Sequence, residues 1–268
     1  MKTALTIAGS DPTGGAGLQA DLRTFKSMGV YGISVPSVLT AQNTNGVFDI
    51  YELPPDFFIT QIDVLLRDIH PDASKTGMLN SFEIVRITAE KIGQYSLKNI
   101  VVDPVTSSST GVLLIKDEAL EAMKQCLFPL AKVITPNINE ASLFTGIDIK
   151  DEQDMKRAAA RLKEFGPETV IITGGHLVAD LPAGRQGSTL REEKTIDIFF
   201  DGREFLSLQR DKLSGEFHGT GCVFSSAVTA CLALGYDVRE AAVKANEFVW
   251  NAIKSAVSIG KGMKILNI

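Results

Sequence analysis

Along this chain, short apolar runs end repeatedly in a glycine-rich or polar cluster, and a stretch with helical spacing then follows. Strand-like runs at Ala4–Ala8, Gly32–Thr40, Ala73–Met78, Asn99–Val102, Ala131–Ile134 and Thr169–Ile172 lead into clusters at 9–17, 40–44, 75–78, 103–106, 135–140 and 173–176. Such alternation calls for an α/β fold, with a mostly parallel central sheet and helices on both faces. The clusters then sit at the carboxyl ends of the strands and gather along one edge, where open sheets hold ligands.

The intervening segments read as helices at about Leu18–Met28, 55–69, 81–94, 117–127, 151–165, 220–234 and 237–258. In the first, Leu18, Leu22 and Phe25 share a face while Asp21 lies off it, the local pattern of a solvated helix residue. Val47–Leu53 reads as a short strand. Ile196–Phe200, Asp201-Gly202 and Glu204–Leu208 spell a hairpin. Residues 179–194 lack periodicity and read as an exposed, inserted loop. No linker or repeat divides the 268 residues, so one domain over 1–268 is expected.

A net charge of −5 without a basic block argues against nucleic acid or an anionic membrane as partner. Three cysteines with no Cys-x-x-Cys pair argue against a disulfide framework or a zinc site. No apolar run is long enough to span a membrane, and the chain reads as cytoplasmic.

The most chemical stretch is Phe217-His218-Gly219-Thr220-Gly221-Cys222. A Gly-rich turn entering a helix leaves backbone N–H groups pointing at one spot, a ready anion site. Cys222 falls at the helix start, where a thiolate is favoured. Alone, such a turn is weak. Beside it the strand ends supply two carboxylates, Asp103 and Glu140, able to hold a hydrated Mg²⁺, and Gln42, which locally reads as a turn residue. These parts suit phosphoryl transfer. The Walker P-loop and the G-x-G-x-x-G dinucleotide fingerprint are both absent.

Seven motifs taken together resemble the hydroxymethylpyrimidine/phosphomethylpyrimidine kinases of thiamine biosynthesis, within the ribokinase-like superfamily. They are Ala8–Asp21, Thr40-Ala41-Gln42-Asn43-Thr44, Lys75-Thr76-Gly77-Met78, Val102-Asp103-Pro104-Val105, Ile134–Asn137 with Glu140, Gly174-Gly175-His176, and His218–Cys222. The resemblance implies a three-layer α/β/α sandwich and an ATP- and Mg²⁺-dependent kinase, with a homodimer as the expected assembly. It implies that Gln42 binds the aminopyrimidine, with Asp21 near the pocket mouth, Gly9 at the pocket, and Met78 and Val105 as its walls. Asp103 and Glu140 would organise Mg²⁺; Gly219, Thr220 and Gly221 would bind the transferring oxygens; Cys222 would take the hydroxyl proton. His176 and His218 are expected to be structural hydrogen-bonders.

Asn137, Thr173 and Lys261 are expected at the ATP phosphates. Thr173 stands where the family usually has lysine, so Lys212, Lys261 or Arg210 would have to supply the charge. The polar stretch Thr106–Gly111 and the tail from Lys261 also depart from the family pattern. A pyridoxal or pyridoxine kinase, a pyrimidine-binding protein without turnover, and a cysteine acyl-transfer enzyme are the rival readings.

Overall fold

A computed structural model describes residues 1–107, 115–175 and 194–268. Ser108–Gly111, His176 and residues 179–193 of the expected loop lie outside the described residues.

The strands are β1 (Thr3–Gly9), β2 (Tyr31–Asn43), β3 (Gly46–Glu52), β4 (Ala73–Thr76), β5 (Ile100–Val102), β6 (Val133–Ile134), β7 (Val170–Ile172), β8 (Lys194–Phe200) and β9 (Phe205–Asp211), with a separate pair β10 (Phe217–His218) and β11 (Lys264–Ile265). The main sheet runs in the order β3-β2-β1-β4-β5-β6-β7-β8-β9. Pairing is parallel from β2 through β7 and antiparallel only at β3, β8 and β9. The short middle strands are buried on both faces, which is why they read as continuous apolar runs.

The helices are α1 (Gly17–Ser27), α2 (Pro55–Leu66), α3 (Phe82–Gln94), α4 (Asp117–Ala122), α5 (Ile138–Thr145), α6 (Glu152–Lys163), α7 (Thr220–Leu234) and α8 (Val238–Lys254). A π-helical turn, Met123–Leu127, continues α4. Side-chain alternation along the strands sorts the helices into two layers. Leu5, Ile7, Ile100, Val102 and Ile134 pack against α2 to α6, as with Phe58, Ile84 and Met155. Ala4, Val101, Val133 and Ile171 pack against α1, α7 and α8, as with Phe25, Phe224 and Ala241. The result is the expected α/β/α sandwich. No helix among the described residues is long and apolar enough to cross a membrane.

Three features near the strand ends were not foreseen. The β2–β3 hairpin carries Gln42 inside a strand rather than on a turn, because β2 runs on to Asn43. Two register shifts, at Ala8/Gly9 and at Ala41/Gln42, re-aim side chains at the edge. Finally, β10 pairs with β11, seating the chain's end beside the α7 turn, His218 opposite Ile265.

Candidate active site

The turn before α7 hinges on Gly219, which must be a glycine. Gly219 caps the helix with φ at 82° and no side-chain hydrogen bond. A Cβ there would lie 1.8 Å from the Gly15 carbonyl oxygen, so the 9–17 loop and the turn pack backbone to backbone. The first N–H groups of this fifteen-residue helix have no side-chain cap, which leaves them open to an anion. Gly17 (φ 56°) closes the 9–17 loop onto the Gly9 carbonyl, where a Cβ would sit at 2.3 Å.

Beside that turn lies a small apolar wall. Val38 and Met78 are buried together, with Val47, Ile50 and Val105 packed on them. Gly9 is part of the same wall, since a Cβ on it would meet Val38 at 2.9 Å and Met78 Sδ at 3.3 Å. Gln42 reaches in half-buried, its amide 3.0 Å from His218 Nε2 and 3.2 Å from Thr40 Oγ1. His218 Nε2 is in turn 2.8 Å from Asp11 Oδ2. Burial would push the Asp11 carboxyl up, but hydrogen bonds from His218 and from the Thr13 amide and hydroxyl hold it below the usual range.

Under the α7 turn sits a buried charge cluster. Lys75 is fully buried, with Nζ 2.9 and 3.0 Å from the two oxygens of Asp21 and 3.6 Å from Asp103. Asp21 also accepts from Thr6 and Ser226, both at 2.6 Å. Burial alone would pull the Lys75 ammonium down; the charges of Asp21, Cys222 and Asp103 push it above the usual lysine range. Asp21 is thus a correction: it is neither solvated nor at a pocket mouth but inside the fold. Its partner on β4 lies 54 residues away in the chain, so no helix-local pattern could reveal it.

Cys222 carries a second correction. It is half-buried, with the Gly17 amide beside its sulfur. Burial and the carboxylates of Asp103 and Asp21 push the thiol up to about 12, despite Lys75 and that amide. At rest it is a thiol, not the thiolate that a helix start alone favours.

Asp103 accepts from Ser225 at 2.9 Å, and burial raises its pKa above the usual carboxylate value, with Asp21 adding to the rise. Glu140 accepts from the Thr106 amide at 3.2 Å and the Asn137 amide at 2.9 Å, while Asn137 Oδ1 caps the Glu140 amide at 2.9 Å. This reciprocal capping box holds a carboxylate in the interior. Burial, then the charge of Asp103, pushes Glu140 up to about 8. The described residues hold no cluster of three His, Cys, Asp or Glu fit to cage a metal. Two oxygen donors, one protonated for want of positive charge, instead suit Mg²⁺, which keeps waters and takes one or two carboxylates plus phosphates.

At the far end of the same edge, Asn137 and Thr173 bridge β6 and β7, and the Thr173 amide donates to the Pro136 carbonyl at 2.9 Å. Gly174 follows because a Cβ there would lie 1.8 Å from the Ile196 carbonyl oxygen. Its amide donates to Asp197 at 2.9 Å; Asn246 donates to the other Asp197 oxygen at 2.8 Å and accepts from Arg210 Nε at 2.7 Å. None of this chain of contacts was foreseen, because its members come from four elements.

Comparison with known proteins settles the family. The family model for phosphomethylpyrimidine kinase matches residues 11–267. The chain belongs to the phosphomethylpyrimidine kinase family. It is 39% identical to a hydroxymethylpyrimidine/phosphomethylpyrimidine kinase of Bacillus subtilis, over 97% of this chain and 92% of the relative. It is 44% identical to a bifunctional thiamine biosynthesis protein of Geobacter sulfurreducens, matching 96% of this chain but spanning only 50% of that longer relative. Among solved structures it superposes on the ADP complex of Bacillus subtilis pyridoxal kinase with a TM-score of 0.87 and 37% identity, covering 100% and 97% of the two chains. The fold is ribokinase-like and the chain is a phosphotransferase.

Within this kinase, Gly9, Met78 and Val105 share one wall, Gln42 meets His218 just before the Gly219–Cys222 turn, and Asp103 is tied to α7 through Ser225. It sets Lys261 apart from Thr173. The 260–262 backbone packs on Thr44, whose hydroxyl accepts from the Gly262 amide at 3.1 Å. Thr44 follows β2, and Thr173 follows β7, five strand spacings or about 24 Å away. Lys261 does not stand where the missing lysine would. Arg210, paired with Thr195 of β8, does lie at the β7 end.

Proposed function

We propose that this chain phosphorylates 4-amino-5-hydroxymethyl-2-methylpyrimidine and then its monophosphate, with ATP as donor and Mg²⁺ as cofactor, in thiamine biosynthesis. One juxtaposition carries the reading: the Gln42 amide and the Val38–Met78–Val105 wall share an edge with the uncapped α7 turn. An amide offers adjacent acceptor and donor to an aminopyrimidine edge, and the wall takes the ring face and methyl group. The hydroxymethyl oxygen then bonds to the γ-phosphorus as the bond to the ADP oxygen breaks, and the α7 N–H groups hold the charge on the equatorial oxygens. Cys222, half-buried, first gives its thiol proton to solvent, a loss that the nearby Lys75 charge favours, and the thiolate then takes the hydroxyl proton. Asp103 and Glu140 would hold Mg²⁺, which when bound neutralises phosphate charge.

On the nucleotide side, Asn137 and Thr173 meet the phosphates, with Arg210 and Lys212 as candidate charges and Lys261 withdrawn from that role. The test is ADP release from MgATP with the pyrimidine alcohol, its monophosphate and pyridoxal as rival acceptors. Both pyrimidines should turn over faster than pyridoxal. Likeness to a pyridoxal kinase favours a second reading, vitamin B6 salvage, and turnover of pyridoxal alone would establish it. Pyrimidine binding without ADP release would mean that Thr173 marks lost turnover.

The chain is read as one domain, since one sheet draws strands from Thr3 to Asp211. A homodimer is proposed through the edge strand β3, which exposes Phe48 at 70% and Tyr51 at 63%. Light scattering at the monomer mass would reject it. The three free cysteines fit a reducing compartment, the cytoplasm, which cell fractionation tests.

A further inference from the structure

Asp11 is a saturated acceptor. Its Oδ1 takes the Thr13 amide at 2.9 Å; its Oδ2 takes the Thr13 hydroxyl at 2.9 Å and the Ala16 amide at 2.8 Å, and stands 2.8 Å from His218 Nε2. Every other neighbour donates, so the carboxylate is ionised, and His218 Nε2 must carry a proton to face it. A protonated Nε2 cannot also accept. Thr40 is constrained from the other side. Its single hydroxyl proton goes to the Ser10 carbonyl at 2.7 Å, leaving Thr40 Oγ1 only its lone pairs for Gln42.

The nitrogen and oxygen of the Gln42 amide are alike in shape, so their assignment follows from these partners. With Nε2 toward His218 and Oε1 toward Thr40, donor meets donor at 3.0 Å, and the 3.2 Å contact asks for a second proton that Thr40 lacks. With the amide turned over, the single N–H of His218 Nε2 is shared between Asp11 Oδ2 and Gln42 Oε1, and Gln42 Nε2 donates to Thr40. Both neighbours demand the same orientation independently.

We infer that His218, anchored by Asp11, is a positioning residue that holds the Gln42 amide oxygen toward the α7 turn and thereby sets which way round the ring lies. The consequence rests on the pyrimidine reading above. The free front of the amide offers Oε1 on the His218 side and an N–H on the Thr40 side. A 4-aminopyrimidine matches it with the amino group on Oε1 and ring N3 on the N–H. The reacting hydroxymethyl group is the amino group's neighbour on the side away from N3, so it points past His218 to Gly219 and the anion site. The reversed amide would turn it away. Gly15 is the floor of the device: a Cβ there would lie 2.7 Å from His218 Cδ2 and push the ring off its partners.

Two measurements test this. In the ligand-free protein, nuclear Overhauser contacts of the Gln42 side-chain amide protons read the orientation directly. They should reach the Thr40 methyl group. Contacts to His218 Hε1 instead would overturn the inference, whatever the substrate proves to be. In turnover, the pyrimidine is compared with its analogue lacking the 4-amino group. His218→Leu should cut the kcat/KM preference for the amino compound about tenfold, by releasing one hydrogen bond's worth of orientation, with the KM for ATP unchanged. His218→Gln, which restores an N–H near the Nε2 position, should recover most of it. An unchanged preference, or an equal loss on both compounds and on ATP, would refute the positioning role. If Nε2 faces Thr40 yet no pyrimidine turns over, the orientation stands and the functional reading falls, together with its consequence for the ring.

Discussion

The two transfers proposed for this site ask different things of Cys222. In the first, the nucleophile is an alcohol that must lose a proton. In the second it is a phosphate oxygen, which carries none near pH 8 because a phosphomonoester's second pKa lies near 6. Cys222→Ala should therefore slow phosphorylation of the alcohol by about 10²–10⁴-fold, the usual worth of a positioned base. The monophosphate should lose less than about tenfold on the same grounds. Equal losses would show that the sulfur serves packing alone. Lys75 is a second test at this scale. Lys75→Met leaves Asp21 and Asp103 without their shared cation, and urea unfolding should show about 3–5 kcal/mol of lost stability. A loss below about 1 kcal/mol, the worth of a surface pair, would mean the cluster is not held by its charge. Glu140 was legible because it stands three residues from Asn137 in one continuous stretch of sequence. Asp21 was not, because Lys75, Ser226 and Thr6 reach it from three other elements.

At the scale of elements, the α7 turn and the loop at 9–17 form one backbone surface. Gly219→Ala would place a methyl group 1.8 Å from the Gly15 carbonyl oxygen at a φ that only glycine adopts easily. The turn must then open, and kcat should fall at least about 100-fold, the cost of losing one preorganised donor to the transition state. Near-normal kcat in that variant would show that the turn does not hold the transferring group. The strands and helices themselves were readable. α7 matches the expected 220–234, and the hairpin also appears where the residues place it. What escaped were β10 and β11, two residues each, and the strand continuing through Gln42. Such short pieces have no periodicity, and their pairing comes from partners distant in the chain.

The stability of the whole molecule depends on the charge state of Glu140. Between pH 4.5 and about 8 the folded protein keeps a proton on Glu140 that the unfolded chain gives up, so cation-free stability falls as pH rises across that window. Mg²⁺ with ADP should raise the melting temperature more at pH 8 than at pH 6, and Glu140→Gln should flatten the difference. Equal shifts at both pH values in the unmodified protein would remove Glu140 from the metal site. The central claim is that one site performs both transfers on one ring. With the pyrimidine alcohol limiting and MgATP in excess, ADP release should reach a plateau of two per ring, in two phases. A plateau of one would confine the enzyme to a single transfer, and no release with this ring, alongside turnover of pyridoxal, would contradict the account.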